Sequence, residues 1–246
     1  MAQIDPDSPV PKYFQLREIL LDLIESHELA VGTAIPSERE LCQRFGLSRM
    51  TVRQAVDHLV SEGRLQRVPG KGTFVARPKI EMALRLTSFS DEMRSRGMEP
   101  GSRDLDRRVI RASAHLAREL GIQPGDEVHF IERLRTAAGE PMCIERSHIP
   151  VALAPDLGDH DLTGGSLYEL LEAHYGLMLD AGELTIDAGI ADPDDADLLK
   201  LPRGGAVLLL QQRSFAGGVC AELGISTYRA DRYQLRTILE TPARRT

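Results

Sequence analysis

Two short segments of this chain carry start and stop residues at both ends, and almost nothing separates them. In Pro36-Ser37-Glu38-Arg39-Glu40, Ser37 stands three residues before Glu40, the spacing of a capping box. Leu41 and Phe45 supply the buried side, and Gly46 ends the segment. Ser48 then caps a second segment in which Val52, Val56, Leu59 and Val60 recur at helical spacing. Two helices joined this tightly cannot run on as one rod, so they must fold back across each other. An amphipathic stretch precedes them: Phe14, Leu16, Ile19, Leu20, Leu23 and Ile24 mark one apolar face from Lys12, and Gly32 is expected to end that unit. After them, Leu65–Val68 and Thr73–Val75 read as strands flanking Pro69-Gly70-Lys71-Gly72. Three helices and a hairpin with a basic tip make a winged helix-turn-helix layout.

The charge distribution fits such a head. The whole chain of 246 residues carries a net charge of −7, yet residues 37–79 hold nine Lys+Arg against four Asp+Glu. A basic segment on an acidic body suits a tethered DNA reader. In a helix-turn-helix the second helix lies in the major groove with its N-terminal residues at base edges. Arg49 and Arg53, four residues apart, share a face opposite Val52, Val56 and Leu59. Arginine can pair bidentately with guanine, Gln54 can pair with adenine, and Ser48 and Thr51 can hold a phosphate or contact a thymine methyl. Ser37, Glu38 and Arg39 open the preceding helix, whose N-terminus suits a phosphate. Gly70 and Gly72 let the wing backbone approach DNA, with Lys71 at its tip. Two arginines alone more often mark a solvated helix face; the conjunction with the capped helix, the turn and the basic hairpin favours DNA.

The remaining chain mixes strand patterns (127–136, 140–149, 183–191, 206–215, 219–229 and 233–240) with helical ones (88–96, 113–120, 165–175 and 193–200). Short turns such as Ala137-Ala138-Gly139 join consecutive strands. This predicts an α+β domain on an antiparallel sheet. The expected division is a flexible N-terminus over 1–10, a DNA-binding domain over 11–77, a linker over 78–86, an effector and dimerisation domain over 87–241, and a tail over 242–246. Cys42, Cys143 and Cys220 are scattered, so neither a disulfide framework nor a zinc site is indicated. No signal peptide is legible at the N-terminus, and the cytoplasm is the expected compartment. No cofactor is implied.

On the strand 127–136, Arg133 and Arg135 project to one side. Two adjacent guanidiniums call for an anion or a carboxylate between them, and acidic neighbours such as Glu132 or Glu145 are the simple answer. Ser88 and Ser90 stand at one expected helix start and Ser166 at another, where they serve as caps, as ligand contacts, or both.

Pro36–Leu41, Ser48–Ala55 and Gly70–Val75 closely resemble the GntR family of bacterial regulators. Leu86–Ser90, Met93–Gly97, Gly139–Met142, Gly165–Tyr168 and Tyr228–Tyr233 resemble the UTRA effector domain of its HutC subfamily, whose fold is similar to chorismate lyase. The resemblance runs from about Pro11 to Leu239. It implies a homodimeric repressor acting on a near-palindromic double-stranded DNA operator. It also implies a small anionic effector, with an amino-sugar phosphate such as glucosamine-6-phosphate or N-acetylglucosamine-6-phosphate as leading candidate. By resemblance, Ser88, Ser90, Arg133, Arg135 and Ser166 hold the phosphate, and Phe89 and Tyr168 are counted among the effector contacts. Glu145, Glu222 and Tyr228 face the sugar. The family commonly has an aromatic and an Arg where this chain has Leu223 and Ile225, a departure expected to bear on the effector. A phosphonate, another phosphate-related signal or an organic acid is the alternative effector. A lyase-like enzyme is the rival of another class, opposed by the DNA-binding head and by the lack of any nucleophile–base pair or metal cluster in the pattern.

Overall fold

A computed structural model describes residues 3–237 apart from 78, 83 and 164. The tail expected at 242–246, and residues 238–240 of the last expected strand, lie outside the described residues. The chain divides into two compact units between Lys79 and Ile80.

The first unit holds α1 (Lys12–Glu25), α2 (Glu38–Phe45), α3 (Arg49–Ser61) and the hairpin β1 (Leu65–Val68) and β2 (Gly72–Val75). Leu16 and Leu20 of α1, Leu41 of α2, Val52, Ala55, Val56 and Leu59 of α3, and Leu65 and Val75 of the hairpin form one core, each at most 2% exposed. The capping box is made in both directions: Glu40 N–H donates to Ser37 Oγ at 3.3 Å, and Ser37 N–H to Glu40 Oε2 at 2.8 Å. Gly46 closes α2 in the left-handed conformation at φ 64°, as its position between the helices requires.

Three expectations for this unit are corrected. α1 ends at Glu25, seven residues before Gly32, because the chain turns at Ser26 and His27, the latter at φ 63°. Phe14 is 42% exposed, its ring beneath the Arg17 guanidinium, and is not part of the buried face. Residues 4–10 are tied to this unit: Gln15 Nε2 donates to Asp5 O at 3.1 Å and Val10 O at 2.8 Å, and Ile4 packs on the core.

The second unit is built on one antiparallel six-stranded sheet in the order β4-β5-β6-β9-β8-β7. Its strands are β4 (Pro100–Arg111), β5 (Glu127–Ala137), β6 (Glu140–Pro150), β7 (Ala181–Ile190), β8 (Ala206–Ala216) and β9 (Val219–Arg229). β5–β6 and β8–β9 are hairpins, β4–β5 and β7–β8 pair across an intervening helix, and β6 against β9 joins the two halves. Side chains alternate across the sheet. On one face α4 (Phe89–Ser95) packs on Cys143 and Tyr228, and α6 (Leu167–Tyr175) packs on Ile131 and Ile149. On the other face α5 (Ala114–Leu120) covers Val128 and Leu223, and α7 (Pro193–Leu198) covers Leu134 and Ile144. The stretch expected as linker is shorter than 78–86, because β3 (Ile80–Glu81) pairs in parallel with β10 (Tyr233–Gln234). β10 is correspondingly only two residues long, and Leu235–Thr237 carry no strand. Among the described residues no helix is long and apolar enough to cross a membrane.

Candidate functional site

Each unit carries a distinct surface. On the first, α3 buries Val52, Ala55, Val56 and Leu59 and turns Arg49, Arg53 and Gln54 outward. Met50 is 74% exposed beside them. Met50, Thr51, Arg53, Gln54, Asp57 and His58 line a shallow depression along this face. Ser48 and Thr51 satisfy each other: Thr51 N–H donates to Ser48 Oγ at 3.2 Å, and the hydroxyls lie 2.8 Å apart. Ser37 is similarly engaged with Glu40, while Arg39 is exposed.

Glu38 stands differently from its expected place at a phosphate. It pairs with Arg67 of β1 at 3.1 Å, and Arg67 also pairs with Asp57 of α3. Arg67 thus joins α2, α3 and the wing, and it neutralises two acids that would repel a phosphate backbone. The sequence reading missed it because its partners are 10 and 29 residues away. At the wing tip Lys71 is exposed between Gly70 at φ 73° and Gly72 at φ 118°, conformations that side-chain-bearing residues seldom adopt.

In the second unit a cavity of about 90 Å³ lies between the sheet and the helices α4 and α6. All ten residues anticipated for the effector line it: Ser88, Phe89, Ser90, Arg133, Arg135, Glu145, Ser166, Tyr168, Glu222 and Tyr228. The sheet register assembles its floor. Arg133 lies opposite Glu145, Glu145 opposite Ser226, and Ser226 opposite Leu210. The next row runs Ser147, Gly224, Gln212 and Leu184.

At one end, Arg133 and Arg135 are each only 2% exposed. Glu145 Oε2 accepts from Arg133 Nη2 at 3.1 Å and from Arg135 Nη1 at 3.2 Å. Arg135 Nη2 donates to Ser90 Oγ at 2.8 Å, and its guanidinium lies over the Phe89 ring at 4.7 Å. Arg133 Nε and Nη1 and Arg135 Nε are buried with no hydrogen-bond partner among the described residues. Burial lowers the Arg133 pKa, opposed by the charge of Glu145. Two cations therefore share one carboxylate oxygen, and three buried N–H-bearing nitrogens face no acceptor. Buried donors are rarely left so. Of the serines, Ser88 is a cap, bonded both ways to Asp91. Ser166 Oγ accepts from Glu169 N–H at 3.3 Å, which leaves its proton to donate.

At the other end Glu222 is buried. Ser147 Oγ donates to its Oε1 at 2.7 Å, and Ser214 Oγ lies 3.4 Å from its Oε2. Gln212 Nε2 donates to Tyr168 Oη at 2.8 Å, and Tyr168 Oη lies 3.1 Å from Ser214 Oγ. Burial raises the Glu222 pKa despite the bonds from Ser147 and Tyr168. Ser147, Gln212 and Ser214 were missed in the sequence. Only pairing between distant strands brings them to this end, and an isolated Ser or Gln carries no pattern.

Leu223 and Ile225 are not part of the cavity. Glu222, Gly224, Ser226 and Tyr228 point to the pocket side of β9, so the residues between them point away. Leu223 packs among the residues around α5, and Ile225 is 39% exposed on the reverse face. The departure from the family pattern therefore does not alter the pocket lining.

A two-surface chain of this kind, with a helix-turn-helix head and a buried small-molecule cavity, defines a ligand-responsive DNA-binding regulator. Residues 12–75 match the family described as bacterial regulatory proteins, gntR family, and residues 95–234 match the UTRA domain. The chain is 41% identical to the HTH-type transcriptional repressor NagR of Bacillus subtilis, covering 94% of this chain and 95% of that one. It is 30% identical to the histidine utilization repressor of Pseudomonas putida, over 86% and 85% of the two chains. The crystal structure of PhnF from Mycobacterium smegmatis superposes with a TM-score of 0.67 at 30% identity, covering 91% of this chain and 98% of that one. The chain belongs to the GntR family, as a DNA-binding transcriptional repressor of the HutC type carrying a UTRA domain. These relatives are regulators and not enzymes.

Proposed function

We propose that this repressor works as a cytoplasmic homodimer on a near-palindromic operator and is released from it by a small phosphorylated metabolite. Arg49, Arg53 and Gln54 would read base edges. Arg39, Ser48, Thr51 and Lys71 would hold the backbone. One recognition helix reads few bases, so a second copy supplies the missing affinity, with half-sites about 34 Å apart.

The observation that carries the effector reading is the arginine pair. Two buried guanidiniums with three unpartnered nitrogens make an incomplete site for a multiply charged oxyanion. The polar far end, with Glu222, Ser147, Gln212 and Tyr168, suits hydroxyls or an amine. Together with the likeness to NagR, this supports an amino-sugar phosphate, glucosamine-6-phosphate or N-acetylglucosamine-6-phosphate. An effector regulates only if it favours one state of the protein over the other.

The test is fluorescence anisotropy on an operator fragment selected from random DNA. Glucosamine-6-phosphate, N-acetylglucosamine-6-phosphate, a phosphonate and urocanate are titrated in parallel. A fall in operator affinity with the amino-sugar phosphates is expected. If none of the phosphorylated sugars changes the affinity and urocanate or the phosphonate does, the sugar-phosphate reading fails.

A further inference from the structure

We propose that Glu145 is a tethered occupant of the anion seat, a carboxylate that an incoming effector must displace from Arg133 and Arg135, and that this exchange excludes simple monocarboxylates. The proposal rests on the reading of the arginine pair as the effector's anion seat.

Glu145 holds both guanidiniums through one oxygen, Oε2, at 3.1 and 3.2 Å. It enters from the neighbouring strand, directly opposite Arg133 in the register of β5 and β6. That contact meets only part of what the pair offers. Arg133 Nε and Nη1 and Arg135 Nε, all buried, still lack acceptors. Glu145 is therefore a poor ligand in geometry and a strong competitor in concentration. A side chain fixed on the adjacent strand acts as an intramolecular ligand at high effective concentration.

A free monocarboxylate brings the same single charge and the same planar oxygens, so exchanging it for Glu145 gains little. A phosphate monoester brings a second charge and three terminal oxygens, enough to meet the orphaned N–H groups as well. The seat would thus discriminate by what Glu145 leaves unsatisfied. Specificity built by an internal competitor needs no repulsive group aimed at the wrong ligand.

The test is calorimetric titration of full-length wild type and E145Q with inorganic phosphate and with acetate. E145Q is expected to bind phosphate about tenfold more tightly than wild type, a difference of roughly 1.4 kcal/mol. It is also expected to bind acetate at concentrations the wild type ignores, so that the phosphate-over-acetate preference narrows. A merely structural role would lower thermal stability without moving that preference. If E145Q does not fold without an anion, E145D, one methylene shorter, is expected to show the same tightening toward phosphate. Wild-type phosphate binding that the variants leave unchanged or weaken overturns the displacement and leaves the seat standing. Variants that still ignore acetate overturn it likewise. Absence of phosphate binding in wild type and variants alike overturns the seat itself, and the displacement with it.

Discussion

Ser147 donates a 2.7 Å hydrogen bond to Oε1 of Glu222 across the junction of β6 and β9, in a place that water barely reaches. Burial nevertheless wins, and the Glu222 pKa lies above its ordinary 4.5. A carboxyl whose folded-state value is raised adds stability that is fully present below its unfolded value. That stability is lost as pH rises through the folded value. Glu222→Gln stays neutral throughout. Its melting temperature is therefore expected to gain on the wild type as pH climbs above 4.5 and to converge with it below. Calorimetric melts across the pH range check this; a constant difference would contradict it.

Arg133→Gln removes a charge from the seat and keeps the side chain polar. Hydrogen bonds to charged groups contribute about 1.5–3 kcal/mol each. Phosphate affinity is expected to fall roughly ten- to hundredfold, while operator affinity without effector is unchanged. Calorimetry and anisotropy on the same preparation separate the two readings.

On the DNA head, Arg49→Ala and Arg53→Ala are each expected to cost about 1–3 kcal/mol on a specific operator and to relax sequence preference. Lys71→Ala is expected to weaken all DNA sequences alike and to reduce the salt slope by about 1. Affinities on operator and scrambled duplexes over a salt series distinguish base reading from phosphate holding.

Ile225→Arg places the family's usual residue at this position. Because Ile225 lies on the reverse face of β9, effector affinity is expected to stay within about twofold of wild type, the range of ordinary surface changes. A tenfold change in calorimetric affinity would show that the reverse face reaches the pocket.

Local patterns were legible wherever one element signals itself. The caps at Ser37, Gly46 and Ser48 fall where their spacing placed them, and five expected strands of the sheet coincide with β5 to β9 within a few residues. β4 escaped notice because Pro100–Arg111 lies on the sheet edge, largely solvated and charged, with no apolar alternation to mark it. β3 escaped, and the strand expected from Tyr233 shrank to the two residues of β10, because so short a pairing between segments about 150 residues apart leaves no local trace. The charged end of the pocket could be anticipated from Arg133 and Arg135 two apart on one strand. Its other end, with Ser147, Gln212 and Ser214 gathered around Glu222 and Tyr168, is a product of register alone.

The pairing of Ile80 with Tyr233 also sets where this molecule can be cut. The first strand of the effector domain is held against β10, and Tyr233 is buried there with its ring edge-on to that of Tyr228 in the pocket wall, 4.7 Å away. Evolution or a protein engineer could exchange the DNA head as an interchangeable cartridge, provided the seam falls ahead of Ile80. A graft starting at Thr87 would unlatch the clasp and loosen the receptor it was meant to carry.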